Sequence, residues 1–173
     1  VITIEDLLLP DVALRRFASQ PEMDPLTEDG ALLEAQLLDI RFDALRSTVG
    51  LLFEMRTAWQ LREANTGVLV CRGVREIFWE AEPRTTDKTA WVVGESTPNN
   101  ENRLFGLSLG MFGAFLSLVA ESAAFFCGDV PGLVRRIPDY GREQDAAVRS
   151  QLPGWHSTFV PVRAVFLDPA PSQ

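Results

Sequence analysis

The spacing of apolar and polar residues changes along the chain, and each change marks an element. From residue 33 the period is two: LEAQLLDIRFD sets Leu38, Ile40 and Phe42 against Asp39, Arg41 and Asp43. TVGLLFEMR repeats the pattern, with Val49, Leu51, Phe53 and Met55 against Thr48, Gly50, Glu54 and Arg56, and with Leu52 as the exception. Period two with polar alternates predicts antiparallel strands with one wet face, and the intervening ALRS is short enough for a hairpin. TGVLVCRG follows the turn residues Asn65 and Gly67 and runs on as VREIFWE beyond Gly73, where a bulge or bend is expected. AWVVGE is a further short strand between two polar loops, PRTTDK and STPNNENR, both expected to be exposed.

Residues 104–126 are an apolar run of 23 residues, long enough for a membrane span. Three features argue instead for a buried hairpin turning at GMFG. Ser117 and Glu121 share an alternating face with Phe115 and Val119, Gly106, Gly110 and Gly113 punctuate the run, and no basic cluster flanks it. No membrane partner is therefore expected. The last strand is FVPVRAVFL, in which Pro161 implies a sheet edge or a strand start.

Helical signals lie near the two ends. Thr3 and Asp6 resemble a capping box that opens a short helix through Leu7, Leu8 and Leu9. Pro10 and Asp11 restart it, and DVALRRFASQ would lay Val12, Leu14 and Phe17 on the sheet or over one of its edges. REQDAAVRSQL predicts an amphipathic helix near residues 140–152, capped from about Asp139 and stopped by Pro153 and Gly154. Residues 19–30, which end in PEMDPLTEDG, read as an acidic mobile loop, and residues 168–173 as a frayed tail. Together these elements predict one α+β domain over residues 1–173. Its main feature is an antiparallel sheet of six to eight strands, open or partly closed into a barrel.

Charge narrows the function classes. There are 24 Asp and Glu against 16 Lys and Arg, for a net charge of -8, and this field repels phosphate backbones. Nucleic acid is not an expected partner. Residues 1–50 hold ten acids against four bases and so carry most of the imbalance. Cys71 and Cys127 stand in apolar, strand-like contexts without metal-ligand spacing and read as buried thiols, with a disulfide left open. No basic, apolar and small-residue leader pattern opens the sequence, which implies a cytoplasmic location.

Catalytic chemistry has little to work with. His156 is the one histidine, which rules out multi-histidine metal sites, and no glycine-rich oxyanion loop accompanies it. Phosphate-binding, dinucleotide and calcium motifs are absent from the sequence, and Lys88 is the only lysine available for Schiff-base chemistry. No cofactor, metal or catalytic residue is assigned. Glu121 is the most suggestive inward carboxylate, followed by Glu54 and Glu76. It would need Arg72 or Arg75 as a partner if buried, although the solvated face of the sheet is its ordinary place. Of the tryptophans, Trp79 and Trp91 read as core, and Trp59 and Trp155 as interface candidates.

The strand series LLDIRFD, STVGLLFEMR, NTGVLV and RGVREIFWE resembles the small immunity proteins of bacterial polymorphic-toxin systems, of an actinobacterial type, over residues 33–80. The resemblance implies a cytosolic, non-catalytic protein that binds and neutralises one toxin, and it brings no catalytic or ligand residues. The leading expectation is an interaction protein that meets a basic, toxin-like partner through Glu22, Asp24, Glu28 and Asp29, with Trp59 as an apolar anchor. The alternative is a small-molecule-binding barrel with Phe115, Glu121, Phe125, Trp155 and His156 around its pocket. A hydrolase using His156 is third. A homodimer through REQDAAVRSQL or FVPVRAVFL is left open.

Overall fold

The computed structural model describes residues 1–10, 12–17 and 19–172, apart from the side chains of Val12, Ala13 and Phe17. Its strands are β1 (Ile2–Thr3), β2 (Gln36–Asp43), β3 (Thr48–Glu54), β4 (Thr66–Ala81), β5 (Trp91–Asn99), β6 (Phe105–Met111), β7 (Ala114–Asp129) and β8 (Thr158–Leu167). All pairings are antiparallel, in the order β1-β8-β7-β4-β3-β2-β5-β6. Because β6 also pairs with β7, strands β2 to β7 close on themselves as a barrel, and β8 and β1 extend from the far side of β7.

Two long strands make this possible. Residues 114–120 of β7 pair with β6, and residues 123–129 pair with β8, while β4 accompanies β7 along its whole length. The seam that completes the barrel is short, with Gln36 opposite Val92 and Leu37 opposite Trp91. The bend expected at Gly73 is present: its φ is +64°, and the β4–β7 register shifts between Val74 and Glu76. A left-handed backbone favours glycine here, and a Cβ would also stand 2.6 Å from the Glu121 carboxylate.

The barrel interior holds the set read as inward, Val49, Leu51 and Phe53 of β3 and the following Met55, packed with Phe105, Leu107, Leu116 and Phe125. The other face of β3 is not wet. All seven of its residues are buried, because Leu52, Val68, Val70 and Phe126 form a second core beneath Ile4, Leu7, Leu14 and Phe159. Gly50 shows how close this cover lies, since a Cβ there would sit 2.6 Å from Leu8 and 2.9 Å from Trp155. On β2 a bulge between Leu37 and Asp39 alters the expected alternation: Leu37 enters the barrel, Leu38 packs on the second core, and Phe42 is exposed.

The helical content is far smaller than an α+β reading requires. The N-terminal helix is replaced by two 3-10 segments, Glu5–Leu8 and Val12–Phe17. Asp6 draws the Thr3 backbone N–H and hydroxyl to one carboxylate oxygen, at 2.7 and 2.9 Å, and this holds its pKa below the usual value. Leu14 is buried as expected, whereas the placement expected for the Val12 and Phe17 side chains falls outside the described residues. Near the other end only α1 (Asp145–Ser150) is helical. Asp139 caps a separate turn, accepting from the N–H groups of Gly141 and Arg142. Glu143 reaches back to the Asp139 N–H at 2.8 Å, so the helix starts later than its sequence pattern implied.

Residues 24–35 cover the outer edge of β5. Leu26 and Leu32 are buried, Gly30 N–H donates to Ser96 O, and Leu32 N–H donates to the Ser96 hydroxyl, so most of the loop read as mobile is anchored. Ser96 is accordingly buried, and β5 continues through Thr97 and Pro98 where an exposed loop was expected. In the tail, Asp168 pairs with Arg15. No helix among the described residues is long and apolar enough to cross a membrane, and residues 105–129 form the expected β6–β7 hairpin, turning at Phe112 and Gly113.

Candidate interaction surface

Beyond its bend, β4 becomes an arm. Residues 75–81 are all exposed, on both faces of the strand, although they remain paired to β7. Alternation assigns Ile77 and Trp79 to the face of Leu116 and Leu118, which are interior residues, and Phe78 to the opposite face with Phe115. The Phe78 and Phe115 rings are 6.2 Å apart, and Trp79 meets Trp91 edge-on at 5.9 Å. Arg84 lies over Trp91 at 4.6 Å. Phe112, at the tip of the neighbouring hairpin, is 71% exposed. Trp79 is thus an exposed residue at the end of the barrel and not a core residue, whereas Trp91 is half-buried and packs against the barrel core. The sequence signal for this surface was IFW, three successive large apolar residues between Glu76 and Glu80, which a strand with one wet face would not carry.

The residues read as partner-binding lie elsewhere, on the segment leading into Leu33 and on the loop that bonds to it. Glu22, Glu28 and Asp29 are exposed, while Asp24 is half-buried and accepts the Leu26 N–H at 2.8 Å. Trp59 is 63% exposed, and its backbone N–H donates to Leu33 O at the end of the same segment. The acidic segment and the tryptophan therefore adjoin on an ordered piece of chain.

The residues of the alternative pocket do not share a site. Phe125 lies in the barrel interior, Phe115 on the outer face, and Glu121 is half-exposed with its carboxylate 2.5 Å from Arg75, one of its expected partners. Trp155 and His156 border an external cleft of about 730 Å³ between β2, the 84–91 segment and α1. There Trp155 donates from Nε1 to Asp39 at 2.8 Å, and Lys88 pairs with Asp145 at 3.2 Å. The His156 side chain is 84% exposed, with Nδ1 2.9 Å from Glu5, a contact that lowers the Glu5 pKa. The neighbouring Ser157 hydroxyl accepts the Gly154 N–H. Among the described residues, no group of three or more His, Cys, Asp or Glu could hold a metal ion.

Among the described residues, the fully buried carboxylate is Glu54, not Glu121. Its partner Arg56 also donates to Gln151 O at 2.6 Å and to Arg136 O at 3.3 Å, so one guanidinium binds the 134–151 segment to the barrel. Tyr140 hydrogen-bonds Gln36 nearby at 2.7 Å, and burial, aided by the Glu54 charge, pushes its pKa up to about 12. Period two places Glu54 with its polar neighbours, but it was also among the carboxylates read as inward, and burial bears that second reading out.

No family model and no curated protein sequence matches the chain. Among solved structures, an uncharacterized protein from Neisseria gonorrhoeae is similar at a TM-score of 0.45 and 14% identity, over 57% of this chain and 94% of that one.

Proposed function

We propose that this chain is a non-catalytic interaction protein, of the immunity type that its strand series resembles, and that it binds a basic protein partner. The supporting observation is the β4 arm, where Ile77, Phe78, Trp79, Phe112 and Phe115 stand exposed on hydrogen-bonded strands and their hairpin turn. Exposed apolar clusters rimmed by charge are characteristic of contact sites, because their burial is favourable only when a partner covers them. The acidic segment beside Trp59 supplies the second contact, and a net charge of -8 speeds encounter with a basic protein. In this reading the protein works in the cytoplasm and neutralises a toxin by covering it.

Co-purification with the toxin-like product of an adjoining gene tests the reading. Reversing Glu22 and Asp29 to lysine should slow association, whereas Phe78→Ser and Trp59→Ala should speed dissociation. Asp24 and Glu28 are spared because both accept backbone N–H groups within their own turn. A partner bound equally well by all these variants would remove the support for both surfaces.

A second reading has its own observation, the external cleft, where Trp91, Tyr140 and Trp155 stand beside Arg84, Lys88 and Arg149. Aromatic walls with convergent cations suit a small anionic or aromatic molecule. A ligand of that class would raise Tm in the parent protein and not in Trp155→Ala.

A further inference from the structure

One edge of the β4 arm is open. β3 pairs with β4 only as far as Arg72, the Val74 N–H goes to Ser47 O, and among the described residues no backbone hydrogen bond reaches that edge beyond this point. On the other side, Glu82 N–H donates to Gly113 O. Alternate residues of a strand point their backbone groups the same way, so Phe78 and Glu80 face β7 as Glu82 does. Ile77 and Trp79 therefore present their N–H and C=O groups outward. Protective charge is the usual treatment of such an edge, and Glu76 and Glu80 supply it. Charge alone does not account for Ile77, Phe78 and Trp79 between them, all exposed.

We propose that the free β4 edge accepts an extended segment of a protein partner as an added strand, with basic side chains opposite Glu76 and Glu80 and apolar ones beside Ile77 and Trp79. The proposal rests on the interaction reading above and names its mode of contact. Main-chain hydrogen bonds to Ile77 and Trp79 would supply affinity, and alternate side chains would supply specificity. Charge selects the occupant. Among the described residues, Glu76, Glu80 and Glu82 take part in no ion pair, and a second copy would set the same three carboxylates against them, whereas lysine or arginine would neutralise them.

The probe is a blocked peptide of about seven residues alternating lysine and valine, long enough to span the arm. Amide exchange is read residue by residue. At saturation, exchange at Ile77 and Trp79 should slow about tenfold, with Phe78 and Glu80 unchanged because they are already bonded to β7. Methylating alternate backbone nitrogens of the peptide should abolish the effect. Ile77→Pro, which removes an outward N–H and leaves the β7 ladder intact, should weaken binding about tenfold, while Ile77→Ala should weaken it far less.

Slowed exchange that rises with protein concentration alone would identify a second copy as the occupant and overturn the proposal. Equal protection by a glutamate–valine peptide would overturn its charge assignment. If the ring signals of Phe78 and Phe115 respond while the Ile77 and Trp79 amides do not, strand addition fails and the interaction reading stands on its face contact. No response of either kind also overturns strand addition, and co-purification then judges the interaction reading separately.

Discussion

The Arg56 guanidinium meets both carboxylate oxygens of Glu54, two residues earlier, through Nε at 2.8 Å and Nη2 at 2.6 Å. Both side chains are withdrawn from water, at 7% and 0% exposure. Attraction between buried charges barely offsets their lost hydration, but an orphaned one is costly. Arg56→Met should therefore destabilise by about 3–5 kcal/mol in urea unfolding, and the double change Glu54→Leu, Arg56→Met by clearly less. The single variant should also raise amide exchange across residues 134–151, which the guanidinium ties down.

Gly50 tests the cover over β3. An added methyl must displace Leu8 and the Trp155 ring, so Gly50→Ala should cost about 1–3 kcal/mol, as overpacking does. The Ile4 and Glu5 amides, which donate to Ser157 O and Trp155 O, should lose protection before those of the barrel. Uniform loss across both would mean that the cover is not a separate layer.

Tyr140 is the single tyrosine, so ultraviolet absorbance follows its phenolate alone. Its midpoint should lie near pH 12 in the folded protein, against about 10 in denaturant. Because folding raises this pKa, the associated stability is fully present below pH about 10 and is lost as pH rises through the folded value. Tyr140→Phe should remove that alkaline loss, at a cost of about 1 kcal/mol at neutral pH for the bond to Gln36. A folded midpoint near the denatured one would contradict the burial described.

Both thiols should resist a disulfide reagent until the protein unfolds. Burial raises the Cys71 pKa and pushes that of Cys127 up to about 12, leaving almost no thiolate at neutral pH. Cys71 stands opposite Ala123 and Cys127 opposite Gly67, a ladder offset of about 13 Å that no disulfide spans. Reaction of either thiol at a rate independent of denaturant would refute this placement.

Local pattern carried what local physics decides. The β6–β7 hairpin was legible because glycine and alternation mark it. The bend was legible because Gly73 interrupts a strand. What depends on distant chain was not legible. Thr48 and Gly50 look solvent-facing until the N-terminal turns and the 130–157 segment close over β3. Ser96 looks like loop until residues 30–32 supply its partners. The β4 arm was missed for the opposite reason, since nothing in VREIFWE states that β3 stops before reaching it.

The pairing of Ile2 with Phe159 and of Thr3 with Thr158 also bears on the order of assembly during synthesis. The β2–β7 barrel can close while the ribosome still holds the C-terminal strand, but β1 has no partner until β8 emerges. Until then the upper half of β7 has an open edge, and the second core lacks Phe159 and Ala164. A released chain truncated before residue 158 should therefore hold a closed barrel and remain a chaperone substrate.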